Sequence, residues 1–149
     1  MYKILLALHL LTAVFAIGPL AHAVTTASRG LRTSDGAATA TAARTTRVYA
    51  YASVVVVVIG FGLMSAESPY TGDKVAGFGE LWIWLSALLW LVAVALALGI
   101  VVPALERATA AIGNGDAVDG LVGRVAASGG VIGLLFAVIV FLMVYQPGS

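Results

Sequence analysis

Apolar residues fall into four long runs separated by shorter polar stretches, approximately at residues 2–23, 48–65, 81–102 and 129–145. Each is close to the length that crosses a bilayer as a helix, since a hydrocarbon core of about 30 Å needs roughly 20 residues at about 1.5 Å of rise each. The stretch from Val54 to Val58 is entirely β-branched and would favour a strand in water. In hydrocarbon a lone strand leaves its N–H and C=O groups unpaired, so a helix is expected there too. The pattern predicts an all-α polytopic membrane protein: a four-helix, up-and-down transmembrane bundle in which 1–149 is a single domain.

The polar stretches carry helix and turn signals of their own. Ser34 or Asp35 suits a helix N-cap, because its side-chain oxygen can accept from an orphan N–H. The Ala/Thr stretch from Ala37 to Thr46 then extends the second helix beyond the membrane. Gly18-Pro19 and Pro103 mark bends, since proline removes a backbone hydrogen bond. Helix resumes after Pro103 from Ala104 to Ile112, ends in the turn Gly113-Asn114-Gly115-Asp116, and the fourth helix is expected to start near Asp116. Ser68 to Asp73 reads as a second turn-rich connector. Gly129 and Gly133 form a GxxxG pair, and Gly60 and Gly62 lie in the second run. All four glycines are candidates for close helix packing.

Charge then orients the bundle. Arg29, Arg32, Arg44 and Arg47 follow the first run, and Arg107 and Arg124 lie between the third and fourth. The other face has only Lys3 and Lys74. This bias predicts cytoplasmic arginine-rich loops, with both termini outside. Tyr2, Tyr70, Trp82, Trp84 and Tyr145 are expected as interfacial anchors at the outer ends, while Trp90 lies deep enough to pack between helices. Ala21-His22-Ala23 has the form of a signal-peptidase site, but the first run is longer than a signal peptide's apolar region and is expected to remain as a helix.

Composition narrows the function. The chain is 61% apolar and 10% charged, with a net charge of +1 and no cysteine. The balance fits lipid and argues against a nucleic-acid partner. The absence of cysteine excludes disulfides, iron–sulfur clusters, thiolate zinc sites and a cysteine nucleophile. Asn114, Asp116 and Asp119 lack the spacing of a calcium loop. No charged residue falls in the middle of a run, which weighs against an ion channel or proton pump. No catalytic set emerges.

His9 is the one titratable residue well inside a run. It can be read as an axial haem ligand, a metal ligand, a proton relay or a neutral ring tied to a neighbouring carbonyl or hydroxyl, with Thr12 one turn on. His22 lies thirteen residues further along, about 140° around the helix and about 20 Å away, so one iron cannot use both histidines. Met64 and Met143 are the alternative axial ligands, with packing as their ordinary role.

Leu5-Leu6-Ala7-Leu8-His9-Leu10-Leu11 with Gly18, the basic loop that follows, and the closing Phe141-Leu142-Met143-Val144-Tyr145-Gln146-Pro147 resemble a bacterial family of small four-span integral membrane proteins catalogued as a domain of unknown function. The resemblance implies the fold and the bacterial cytoplasmic (inner) membrane, and no reaction. A further likeness, in His9 alone, is to membrane haem and copper proteins whose first span carries a Leu-His pair. Three functional expectations follow. The first is a non-enzymatic accessory or assembly subunit, for instance of a respiratory complex, working through contacts with other membrane subunits or with itself. The second is a haem-binding or quinone-associated redox protein using His9. The third is a small oligomeric exporter or permease subunit.

Overall fold

Backbone groups in hydrocarbon have no water to bond, and the chain meets that constraint with nearly continuous helix. The computed structural model describes residues 1–149 and contains four helices long and apolar enough to cross a membrane. They are α1 (Tyr2–Arg32), α2 (Gly36–Met64), α3 (Leu81–Gly113) and α4 (Asp119–Tyr145). Consecutive helices pack against each other, and α4 closes the ring against α1. The expected all-α up-and-down bundle is what the chain forms.

The helices outrun the apolar runs, and the caps show why. At the end of α1 the Asp35 N–H donates to the Gly30 carbonyl at 2.9 Å and the Ser34 N–H to the Leu31 carbonyl at 3.2 Å, with Ser34 at φ +50°. This is a Schellman closure, in which a left-handed residue lets the last carbonyls find donors. Asp35 then caps α2, its carboxylate accepting from the Ala38 N–H at 3.0 Å. The end of α3 repeats the device. Asp116 N–H reaches the Ala111 carbonyl at 2.8 Å and Gly115 N–H the Ile112 carbonyl at 3.1 Å, with Gly115 at φ +78°. Asp116 is thereby committed to closing α3, so α4 begins at Asp119 rather than beside Asp116.

Both prolines sit inside helices and are accommodated alike. A π-helical turn, Ala13–Ile17, ends two residues before Pro19, and another, Ala97–Val101, ends two residues before Pro103. Proline has no N–H for the carbonyl four residues back, and a widened turn moves that carbonyl away from the ring.

The inward faces follow a spacing of alternating four and three residues. On α2 the buried positions up to Ser53 are Thr39, Ala43, Thr46, Ala50 and Ser53, with Val56, Leu63 and Met64 buried beyond them, and on α4 they are Val125, Gly129, Ile132, Phe136 and Ile139. Such a seam keeps facing its neighbours along the whole length of a bundle. The main core includes Leu20, Val24, Leu31, Val101, Leu105 and Val125, all nearly inaccessible. A smaller one, Met64, Ala76, Trp82 and Ile83, lies under the α2–α3 loop. Bonds from the Ser68 carbonyl side of that loop hold it folded back, Gly72 N–H to Ser68 O at 2.9 Å and Val75 N–H to Ala66 O at 3.0 Å.

The glycines divide by face. A Cβ on Gly129 would collide with the Val24 carbonyl, so α1 and α4 touch backbone to backbone there. One on Gly133 would stand 3.1 Å from the Thr25 Cγ2. The GxxxG pair therefore works within the chain. Gly62 does not pack: it is exposed, with nothing within 4 Å of an added Cβ. Two residues along a helix is about 200° of rotation, so Gly60 and Gly62 cannot face the same neighbour.

Replacing Gly129 by Ala is expected to lower stability by about 3 kcal/mol through overpacking. Gly62→Ala should stay within about 0.5 kcal/mol of the parent. Thermal unfolding of the three proteins in one mild detergent checks this ranking.

Candidate functional site

The one histidine contact between spans inside the apolar zone starts from a missing side chain. A helical side chain leans over the turn before it, so a residue at position 60 would cover the carbonyl around position 56. Gly60 leaves the Val56 carbonyl bare. His9 of α1, about 10 Å along the helix from Tyr2, enters that niche, and its Nδ1 donates to the Val56 oxygen at 3.1 Å. A Cβ on Gly60 would stand 3.0 Å from the ring's Cε1. A carbonyl only accepts, so Nδ1 carries the proton, and the neutral tautomer compatible with this bond has its lone pair on Nε2. Thr12 does not join this contact. Its hydroxyl donates back to the Leu8 carbonyl at 2.8 Å and also approaches the His9 carbonyl.

The arrangement ties α1 to α2, and it also fixes a ring with one free ligand atom. The candidate partners lie elsewhere. His22 is exposed toward the other end of α1, Met64 is packed under the loop with Trp82 and Ile83, and Met143 is on the outer face of α4. No three histidine or acidic side chains gather where a metal ion could be held.

A second polar feature escaped the reading of the sequence. The buried hydroxyls Thr39, Thr46 and Ser53 recur every seven residues on α2, and Gly60 continues the series. Thr39 Oγ1 pairs with Thr109 Oγ1 of α3 at 2.8 Å, and the Trp90 indole N–H donates to Ser53 Oγ at 3.0 Å. Trp90 does pack between helices. Thr46 Oγ1 and Ser86 Oγ are buried with no hydrogen-bond partner. The seven-residue recurrence was the available signal. Successive hydroxyls stand about 10 Å apart, too far for a direct relay, so the series is a packing seam rather than a conduit.

The remaining candidates sort by end. Arg29, Arg32, Arg44, Arg47, Arg107 and Arg124 are all exposed, and the helix order brings them to one end of the bundle. Arg47 forms the chain's one ion pair, with Glu106 of α3, and both side chains are half exposed. Such a pair contributes at most about 1 kcal/mol. At the other end Tyr2 is half-buried, while Tyr70, Trp84 and Tyr145 are exposed. Trp84 leans on Phe61 and Phe78 and donates its N–H to the Phe78 carbonyl at 2.7 Å. Trp82 is not an exposed anchor. It is buried in the smaller core, and its indole N–H donates to the Glu80 carboxylate, which also accepts from the Gly77 N–H.

Comparison with protein families, with curated proteins and with solved structures finds no match for this chain.

The His9–Gly60 contact predicts a reversal of sign. With His9 present, Gly60→Ala should destabilise by roughly 1 kcal/mol by displacing the ring. In a His9→Ala background the same change should be neutral or stabilising, because alanine is the better helix former. A double-mutant cycle on thermal unfolding measures the coupling.

Proposed function

We propose that this chain is a non-enzymatic subunit of a larger assembly in the bacterial cytoplasmic membrane, working through lateral contacts between helices. The observation that carries the reading is the first third of α1. Residues Tyr2–Thr12 bury none of their side chains and pack chiefly on α2. Ile4, Leu8, Leu11 and Phe15 form an outward ridge at four-and-three spacing, each well exposed. Lipid tails are as apolar as leucine, so no hydrophobic force holds this segment to the bundle, and what holds it is the His9 contact and close packing at Gly60. A transmembrane helix of another subunit, lying along the ridge, supplies the missing packing. The clustering of six arginines at one end supports an orientation with that end toward the cytoplasm and the termini outward. This reading agrees with the resemblance to four-span membrane proteins of unknown function.

The redox alternative keeps one specific support. The Nδ1–H bond to Val56 orients His9 as outer-shell bonds orient metal-ligating histidines, with Nε2 left over. A haem held there would take its second axial ligand from another chain. The exporter alternative would place its path between copies, because the centre of the bundle is filled by Leu20, Ala93, Val101 and Ile132.

Tagged chain extracted in mild detergent and sized before mass spectrometry separates these readings. The expected result is a stoichiometric second membrane subunit that is lost when Ile4, Leu8 and Leu11 are changed together to Ala. A particle containing only this chain would overturn the subunit reading. A Soret band that disappears with His9→Ala would transfer the case to haem.

A further inference from the structure

A trough of about 540 Å³ lies between α3 and α4 at the arginine end, with Gly99, Pro103 and Arg107 on one wall and Arg124, Ala127 and Ser128 on the other. We propose that it seats one anionic phospholipid, with its phosphate between Arg107 and Arg124 and an acyl chain along the small residues below.

The helical spacing builds this shape. Gly99, Pro103 and Arg107 are four residues apart and line up on one face of α3. Arg124, Ala127 and Ser128 are three and one apart and share a face of α4. The trough falls about 12 Å from Arg107 to the level of Gly99, into the apolar zone. Below the two arginines its walls are Ile100, the Pro103 ring and the small residues Gly99, Ala127 and Ser128, and the small residues leave room beside the backbone. Pro103 also has no N–H to give the Gly99 carbonyl, which lacks its α-helical donor in the floor of the trough.

Charge identifies the occupant. Arg47 is neutralised by Glu106, but neither Arg107 nor Arg124 has a carboxylate within ion-pair distance. Two guanidinium groups therefore line one cavity without a counter-charge, and both are forked donors suited to phosphate oxygens. They stand where the third and fourth apolar runs meet polar chain, which is the level of lipid phosphates. Free phosphate would satisfy the arginines but leave the apolar floor unused. A zwitterionic lipid would fill the floor and bring a phosphate, but its headgroup cation would be repelled by two guanidinium groups that have no other counter-charge. An anionic phospholipid meets both, and basic pockets between spanning helices are suited to such headgroups. The proposal does not depend on which protein partner the chain has.

The test is native mass spectrometry of the intact chain in detergent, titrated with phosphatidylglycerol, with phosphatidylcholine of the same acyl chains, and with inorganic phosphate. One retained phosphatidylglycerol per chain is expected, with little retention of either competitor. Arg107→Gln with Arg124→Gln should weaken binding about 30-fold, on about fivefold per arginine at a membrane surface. Arg29→Gln with Arg32→Gln should leave it unchanged. Ala127→Leu, which keeps both charges and fills the floor, should also weaken phosphatidylglycerol and gives a second route if the double arginine variant fails to fold. Equal retention of phosphatidylcholine, phosphate that competes on equal terms with the lipid, or phosphatidylglycerol binding that survives loss of both arginines would each overturn the proposal.

Discussion

Everything in this bundle depends on how closely two backbones can approach. Water drives apolar faces together in a soluble protein, but in a bilayer the alternative to helix contact is lipid of equal apolarity. Dispersion at short range and hydrogen bonds between spans remain. Gly129 against the Val24 carbonyl is the shortest such approach, and it fixes α4 on α1 and so closes the ring. Around it the core is alanine-rich, with Ala27, Ala43, Ala50, Ala93, Ala97, Ala104 and Ala108 buried. Toward the opposite end the inward residues include the bulkier Trp90, Phe136 and Ile139.

Polar groups inside the spans are tied across helices at both ends of the bundle. A hydroxyl or imidazole in hydrocarbon gains from a partner within reach, and for three of the polar side chains here a neighbouring helix provides one. Thr39 finds Thr109, Ser53 finds Trp90, and His9 finds the carbonyl that Gly60 leaves uncovered. The last of these joins the least packed segment of the chain to the rest. It links a sequence feature, a glycine one turn beyond Val56, to the position of a whole half-helix.

The four spans and their all-α character were legible because a run of about twenty apolar residues admits only one backbone solution in lipid. The true helix ends were not set by hydropathy. They lie in amphipathic extensions whose limits depend on caps, and Asp35 was readable as a cap because its chemistry is local. Gly60 and Gly62 looked alike as residue types, but helical phase separates them, and the seven-residue series through Thr39, Thr46 and Ser53 selects Gly60. Trp82 resisted reading because its burial depends on how the 66–80 loop folds back and where Glu80 points, which are non-local facts. His9 was recognisable as an unusual residue, but its partner is forty-seven positions away and could not be named from its own neighbourhood.

Four spans with the arginine end in the cytoplasm, the orientation we propose, can be tested directly. The chain has no cysteine, so single cysteines can be introduced without removing any. Thr71→Cys and Ser149→Cys should react with an impermeant maleimide added to intact cells, and Ser34→Cys and Gly115→Cys only after the membrane is opened. Labelling of Thr71→Cys and Gly115→Cys from the same side would contradict the account, because α3 would then not cross the membrane.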